Sequence, residues 1–564
     1  PRSTPSNSSA ASDVYKRQAL IVAKMLEYAP KEAEITRIEY EGPNIAVYSR
    51  RPDLLLQHSY ILTELATKLK KRVIVRSEPS ERADPEEARK RISEALAKRD
   101  ICLGEIYFDN SVGEVHLYID RTIDVKTIAE LTVEIVRETR WVPVFRHFFP
   151  PISRTVKYVQ NTLGVSWEER KKLLNSFGNR IFREAINPSK DVRITVLGGA
   201  EEVGRSSLLI STSETKILVD FGLKPGASRK VDAFPRIDVE QLNLDELDAV
   251  VVTHAHLDHC GLVPYLFKFG YRGPVYVTEP TLPLMVLLQQ DLIEVAEKSG
   301  QTPPYSETDI RTMIRHTITL KYNQVTGVSP DVKLTFYNAG HVLGSAIVHL
   351  HVTEGIHNVI ITGDFKYAPT LLLEAAYDRF TRAETLIMES TYGSPEDIMP
   401  NRREVEELLI STVNTVLKDG GKVLIPSPAV GRAQEILALL DRAIRENALE
   451  EAPVYVDGMI DESSSIHLHY PNYLSSQVRS LIAQGVNPFR SERFVIVKNS
   501  SHRDEAVRPG PSVIISTSGM MEGGPVVEYF KQLAEDEKNM LLFVSYQVAG
   551  TLGRRILDGA REIL

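Results

Sequence analysis

The stretch Val251 to Gly261, VVTHAHLDHCG, puts three histidines and an aspartate within six residues, directly behind an apolar run. The run DAVVVTHA reads as a strand whose apolar residues pass through a sheet. Such a strand delivers HAHLDH at its carboxyl end, where side chains face a cleft rather than the core. His254 and His256 can converge there on one ion. Asp258 and His259, on the turn that follows, can reach a second ion close by. Neutral imidazole and carboxylate are the ligands that borderline divalent metals prefer, at ~2.0–2.2 Å for zinc. A lone HxH is common on strand ends; the whole of HxHxDH after an apolar strand is far more specific.

Further signals stand at other strand ends in a fixed order. LVDFG places Asp220, NAGHVLGSA places His341, ITGDF places Asp364 and IMESTYG places Glu389. An Asp before Gly is by itself usually a turn former. Five strand-end signals within about 170 residues point instead to one composite site.

The rhythm of the chain divides it further. Residues 1–18 are polar and Ser/Pro-rich without periodicity, a leader that is disordered or foreign to the fold. Residues 19–79 and 80–150 each alternate helix, strand, strand, helix, strand, beginning with a helix over ALIVAKMLEYAP, and form a duplication of pattern. Residues 151–192 read as a basic connector with a helix at SWEERKKLLNSFGNRIF. From 193 to 400 many short strands with Gly-containing turns suggest stacked sheets with helices outside. Residues 401–509 switch to helix–strand–helix, an inserted α/β module, and 510–564 read as a return to the earlier domain.

Composition excludes several classes. At 564 residues the chain needs two to four domains. No apolar run approaches the ~20 residues that cross a bilayer, and no signal segment opens the sequence. A cytoplasmic protein without membrane contact is expected. Two cysteines, Cys102 and Cys260, make no disulfide framework; Cys260 reads as a small buried residue behind the histidines. Net charge is −8, but residues 1–188 hold 31 Lys+Arg against 26 Asp+Glu. That asymmetry is compatible with an N-terminal part facing nucleic acid.

The ordered motifs Asp, HxHxDH, His, Asp resemble the metallo-β-lactamase superfamily. ESTYG, the inserted module, PSPAVGRAQE, STSGMMEGGP and VSYQVAGTLGRR are similar to its β-CASP nuclease branch. With two small units in front, the chain resembles the archaeal cleavage and polyadenylation specificity factor ribonucleases. The resemblance implies an α+β fold: an αββα metallo-β-lactamase sandwich, an inserted α/β β-CASP domain and two N-terminal KH-like units. It makes His254, His256 and His341 ligands of one zinc and Asp258 and His259 ligands of another, with Asp364 bridging. Asp220 would orient a ligand or bound water, and Glu389 would position a catalytic histidine. Two such metals hold a hydroxide and stabilise both oxygens of in-line phosphodiester cleavage. The implied activity is endonucleolytic cleavage of single-stranded RNA at transcript 3′ ends, with 5′–3′ exonucleolytic action as a second capacity. Partners would be RNA, the transcription machinery and a second copy joined through the family's C-terminal region.

Two features depart from the pattern. The family's last two histidine motifs have no match before Leu564, so the chain reads as truncated, with an incomplete second zinc set and no general acid. Neither N-terminal unit has the GxxG loop by which KH domains grip backbone; the basic KLKKR run, Lys68 to Arg72, reads mainly as a solvated helix end. Arg432 of GRAQE suits a phosphate or a structural salt bridge equally. The rival readings are a small-molecule metallo-hydrolase, a DNA-repair nuclease of the same branch and a catalytically dead scaffold. The insertion speaks against the first, and the six retained early ligands speak against the last.

Overall fold

The alternating apolar pattern of the middle of the chain sets its architecture. In the computed structural model, which describes residues 30–69, 71–186, 191–227 and 229–563, that region forms two facing sheets. The leader and the helix expected over residues 19–30 lie, but for Pro30, outside the described residues. The first sheet has six strands in the order Thr317–Leu320, Val275–Thr278, Ala249–Val251, Lys216–Val219, Ser207–Ser211 and Arg193–Gly198. The first four of these run parallel, the last two antiparallel.

Successive residues of a strand face opposite sides, and both sides here are apolar. Ile217, Val219 and Val251 turn inward onto Leu334, Phe336, Val348 and Val359 of the second sheet. Leu218 and Val250 turn outward beneath Leu262, Leu266, Met285 and Ile310, which belong to or precede helices Val263–Lys268, Thr281–Lys298 and Glu307–His316. Burial on both faces is why these strands read as continuous apolar runs. The second sheet runs Thr326–Gly327, Val332–Asn338, Ala346–Val352, His357–Ile361 and Thr385–Ile387.

The two N-terminal units repeat one topology. Ile35–Glu41 pairs antiparallel with Asn44–Ser49, which pairs parallel with Arg72–Ser77; Leu103–Asp109, Glu114–Ile119 and Val142–His147 do the same. Of the basic run, Lys68 pairs with Glu64 one helical turn away and Lys71 lies over the Phe182 ring, contacts expected of a helix end rather than a grip on RNA.

Two parts differ from the sequence reading. The connector holds two helices, Arg154–Val165 and Trp167–Ile181, not one. The first was hidden because RTVKYVQNTLGV mixes β-branched residues with Gly164, both weak helix formers. Its start is fixed by Ser153, whose hydroxyl accepts from the Val156 amide at 3.0 Å. The second difference concerns residues 510–564, which do not return to the sandwich. Ser512–Ser516 pairs parallel with both Lys422–Pro426 and Val454–Asp457, in the middle of the inserted module's five-stranded sheet, and Met540–Leu541 forms its edge. A strand apolar on both faces fits a parallel α/β sheet as well as a sandwich, so pattern alone misassigned it.

The two N-terminal units are joined by Arg76. Its guanidinium is 5 % exposed and bonds Glu41 at 2.6 Å within the first unit and Glu114 at 2.8 Å in the second. Burial works against its charge, and the two carboxylates overrule that and hold it protonated. Removing it would leave Glu41 buried without a counter-charge. Arg76→Ala is therefore expected to destabilise the N-terminal region by about 3–5 kcal/mol. Urea unfolding followed by the fluorescence of buried Trp141 measures this.

Candidate metal centre

Asp220 and the HAHLDH segment follow neighbouring parallel strands, so their side chains emerge at one edge of one sheet. Asp220 leaves its strand with φ +61°, a left-handed turn that Asp tolerates better than most residues. Its carboxylate, 2 % exposed, accepts from the Thr253 amide and the Thr253 hydroxyl, both at 2.8 Å. It also lies 2.7 Å from His259 Nδ1. That contact assigns the His259 proton to Nδ1 and turns Nε2 toward Asp364, at 3.2 Å, and Asp258, at 3.9 Å. Having spent its proton on Asp220, the Thr253 hydroxyl offers a lone pair to His254 Nδ1 at 3.0 Å. His254 Nε2 is left as a free lone pair. It is buried and has no hydrogen-bond partner, a costly state that a cation would relieve.

The second sheet supplies the remaining groups. His341 sits in the loop after Val332–Asn338, its amide held by the Ser345 hydroxyl at 3.0 Å; Asp364 follows His357–Ile361. His341 Nε2 approaches His256 Nδ1 to 3.2 Å and Asp364 to 3.6 Å. Among the described residues two sets have ligand atoms within 4.8 Å of one another: His254, His256, His341 and Asp364; and Asp258, His259 and Asp364. The structure thus brings together all six residues named as ligands, with Asp364 in both sets and Asp220 behind them.

The electrostatics differ between the two sets. Burial first, then the neighbouring imidazoles, push His254 well below the usual histidine range and His341 down to about 3. Both stay neutral, the form that binds metals. Burial also disfavours a charged His259, but Asp364, Asp220 and Asp258 overrule it and hold the imidazole well above its usual range. Around His259 there is surplus negative charge, which a bound cation would balance. Burial pushes the Asp258 carboxyl up, while His259 and the other imidazoles hold Asp364 well down against its own burial. The first set, with the orphaned His254 nitrogen, fits one divalent cation, and Asp258, His259 and Asp364 supply three donors toward a second, as expected of an incomplete set.

The inserted module closes over this edge. His256 Nε2 points at the Val430 carbonyl, 3.4 Å away. Gly431 has φ +87°, and a Cβ there would come within 2.5 Å of Val342, the neighbour of His341. Only glycine lets the module's loop lie so close. Gln434 holds that loop, accepting from the Gly431 amide at 2.8 Å and donating to the Ala429 carbonyl at 3.0 Å. Glu435 pairs with Arg402, not with Arg432, and Arg432 makes no ion pair among the described residues. Arg432 is close enough to lower His341 further. The Glu389 amide donates to Thr362 at 3.2 Å and its carboxylate accepts from the Thr391 amide at 2.8 Å, beside the cluster but in neither set. Cys260 is buried, its thiol donating to the Ala255 carbonyl at 3.0 Å.

Sequence reasoning missed Thr253, which links Asp220, His254 and His259. Its position immediately before HxH was the available signal. Gly222 was missed as well: a Cβ there would fall 1.6 Å from the Asp258 carbonyl, so the turn carrying Asp258 and His259 rests directly on that glycine.

Comparison with known proteins agrees with this geometry. The Metallo-beta-lactamase superfamily domain matches residues 209–389, the Beta-Casp domain residues 433–556, and the KH domain of transcription termination factor FttA residues 16–82. The Transcription termination factor FttA of Cenarchaeum symbiosum is 48% identical over 547 residues, covering 96% of this chain and 85% of the relative. The chain belongs to the FttA family. The FttA of Pyrococcus horikoshii is 46% identical, covering 96% of this chain and 84% of its own, and that of Thermococcus kodakarensis is 45% identical, covering 98% and 86%. An FttA family member is an archaeal cleavage and polyadenylation specificity factor-like protein, joining KH, metallo-β-lactamase and β-CASP domains. Among the described residues no helix is long and apolar enough to cross a membrane.

The Asp220 network makes a measurable claim. Asp220→Asn keeps the shape but removes the charge that fixes His259. It should weaken the cation held by Asp258, His259 and Asp364 by about 10–100-fold, while the His254, His256, His341 set keeps its affinity. Zinc titration against a chromophoric chelator resolves the two.

Proposed function

We propose that this chain is a zinc-dependent ribonuclease that cuts single-stranded RNA at transcript 3′ ends and so serves transcription termination in the cytoplasm. One observation carries the reading: a buried, unpartnered His254 Nε2 in one of two ligand sets that share Asp364, under a module that approaches to hydrogen-bond distance. The name of the relatives, transcription termination factor, supports the process. A small-molecule hydrolase has no use for the module or the KH-like units.

His254, His256, His341 and Asp364 would hold one zinc, and Asp258, His259 and Asp364 the other. When bound, the ions supply Lewis acidity and activate water for attack on phosphorus. The rest falls to the chain's own groups. Asp220 and Thr253 keep the two imidazoles in the tautomers that aim Nε2 at the ions. Asp364 belongs to both sets and fixes their separation. Arg432, which makes no ion pair among the described residues and lies near His341, would meet a substrate phosphate. Glu389 would govern proton handling at the edge of the site. The loop Pro428–Gly431 covers the site on the module side.

The test is single-turnover cleavage of a uridine-rich RNA strand, run beside a DNA strand of the same sequence. His254→Ala is expected to abolish RNA cleavage and to leave RNA affinity within about twofold, since its position offers no contact to bases. Glu389→Gln should keep the zinc content and slow cleavage by about 10²-fold or more. A His254→Ala protein that cuts at the parental rate would sink the reading, and equal cutting of DNA would sink the RNA assignment.

A further inference from the structure

A cleft of about 200 Å³ opens between the second KH-like unit and the inserted module, away from the metal centre's ligands. Arg121, Phe145 and His147 line it from the unit; Asn472, Arg479 and Ala483 line it from the module. No carboxylate lines it. Its back is a closed network: Glu279 accepts from Arg146 of the unit at 2.7 Å and from the Tyr473 hydroxyl of the module at 3.0 Å. That network spends Arg146 and pins the two walls together. Nearby, Glu462 of the module accepts from the Ser153 hydroxyl at 2.7 Å and the Thr155 amide at 2.8 Å, which keeps their spacing.

At the mouth Arg121 already pairs with Asp120 and Asp100, whereas Arg479 is unspent. Arg479 is exposed and has no carboxylate partner among the described residues. Both ring nitrogens of His147 are buried with no hydrogen-bond partner. Burial holds that imidazole below its usual range, so it is neutral, and the ring lines the cleft with its carbon face. The face of a nucleobase can stack on rings such as Phe145 and His147. The volume is below the ~300–1,000 Å³ of drug-sized sites. One flat ring fits, with its sugar and phosphate left at the mouth beside Arg479 and Arg121.

We propose that this cleft binds one nucleotide of a single-stranded RNA, the base seated against Phe145 and His147 and the phosphate on Arg479. The network behind the cleft is linked to the sheet that carries the metal centre. Thr278, one residue before Glu279, donates to the Gly344 carbonyl at 2.7 Å, and Gly344 belongs to the loop that carries His341. Val275–Thr278 and the strand that leads to His254 are parallel neighbours, so Glu279 behind the cleft and His254 both follow carboxyl strand ends of one sheet. The cleft would anchor RNA at a fixed distance from the ions and compensate for KH-like units that lack GxxG. This rests on the reading of the chain as an RNA-cutting protein, although it concerns binding alone.

The experiment measures RNA affinity by fluorescence anisotropy in EDTA, with a 12-nucleotide single strand, so that cleavage plays no part. Arg479→Glu should weaken binding about tenfold, a typical effect for a base or phosphate anchor. Ala483→Trp, an exposed position that fills the cleft without touching the core, should do the same, and Arg479→Lys should recover most of it. Lys538→Glu, an exposed charge reversal outside the cleft, should change affinity by less than twofold. Unchanged RNA affinity in both Arg479→Glu and Ala483→Trp overturns the proposal. Adenosine monophosphate is the second arm: if it binds tightly and only its binding falls in the variants, the cleft is a free-nucleotide site and the strand assignment is wrong. Binding that depends on the cleft in a protein that never cuts RNA would sink the nuclease reading and leave this one standing.

Discussion

The carboxylate of Asp220 is the interaction on which the site depends. One buried anion collects the Thr253 amide, the Thr253 hydroxyl and the His259 imidazole. Each contact decides something further along. The hydroxyl, once committed to Asp220, can only accept from His254, which bares His254 Nε2. The imidazole, once donating through Nδ1, can only present Nε2 to Asp364. One side chain thus commits the Nδ1 of both rings: His254 is already neutral, while His259, held charged by its carboxylates, must release its Nε2 proton to take a cation. A hydrogen-bonded buried carboxylate also resists rearrangement, because freeing any partner would leave a polar group unsatisfied.

Around that network the fold acts as a clamp. Two sheets, each packed through its inner face, bring Asp220 and HAHLDH from one side and His341 and Asp364 from the other. The inserted module touches the same place through Val430 and Gly431, so the cluster is approached by three parts of the chain. Helix Arg154–Val165 works at a larger scale: it packs against Thr281–Lys298 and Glu307–His316 of the sandwich and Ile460–His469 of the module. It therefore fixes the N-terminal units relative to both.

Much of this was legible in the residues. An apolar strand ending in HAHLDH allows few alternatives, and Asp220, His341 and Asp364 could be placed because each follows a strand of its own. Thr253 was not legible, since a threonine in a β-rich run looks like any other strand residue. The membership of Ser512–Ser516 was not legible either, because an apolar strand carries no record of which sheet it joins. Arg432 was not legible as a salt-bridge partner or a phosphate contact, and in the fold Glu435 pairs with Arg402 instead. The cleft between Arg121 and Arg479 is invisible to periodicity, as its walls lie more than three hundred residues apart in the chain.

The central claim is that two divalent cations sit between the sheets, one on His254, His256, His341 and Asp364 and one on Asp258, His259 and Asp364. Anomalous diffraction at the zinc absorption edge, from crystals grown with zinc, addresses it most directly. The account predicts a strong peak within ~2.0–2.2 Å of His254 Nε2 and a weaker one at the three-residue set that shares Asp364. A crystal with zinc bound elsewhere, and no anomalous density between those side chains, would contradict it.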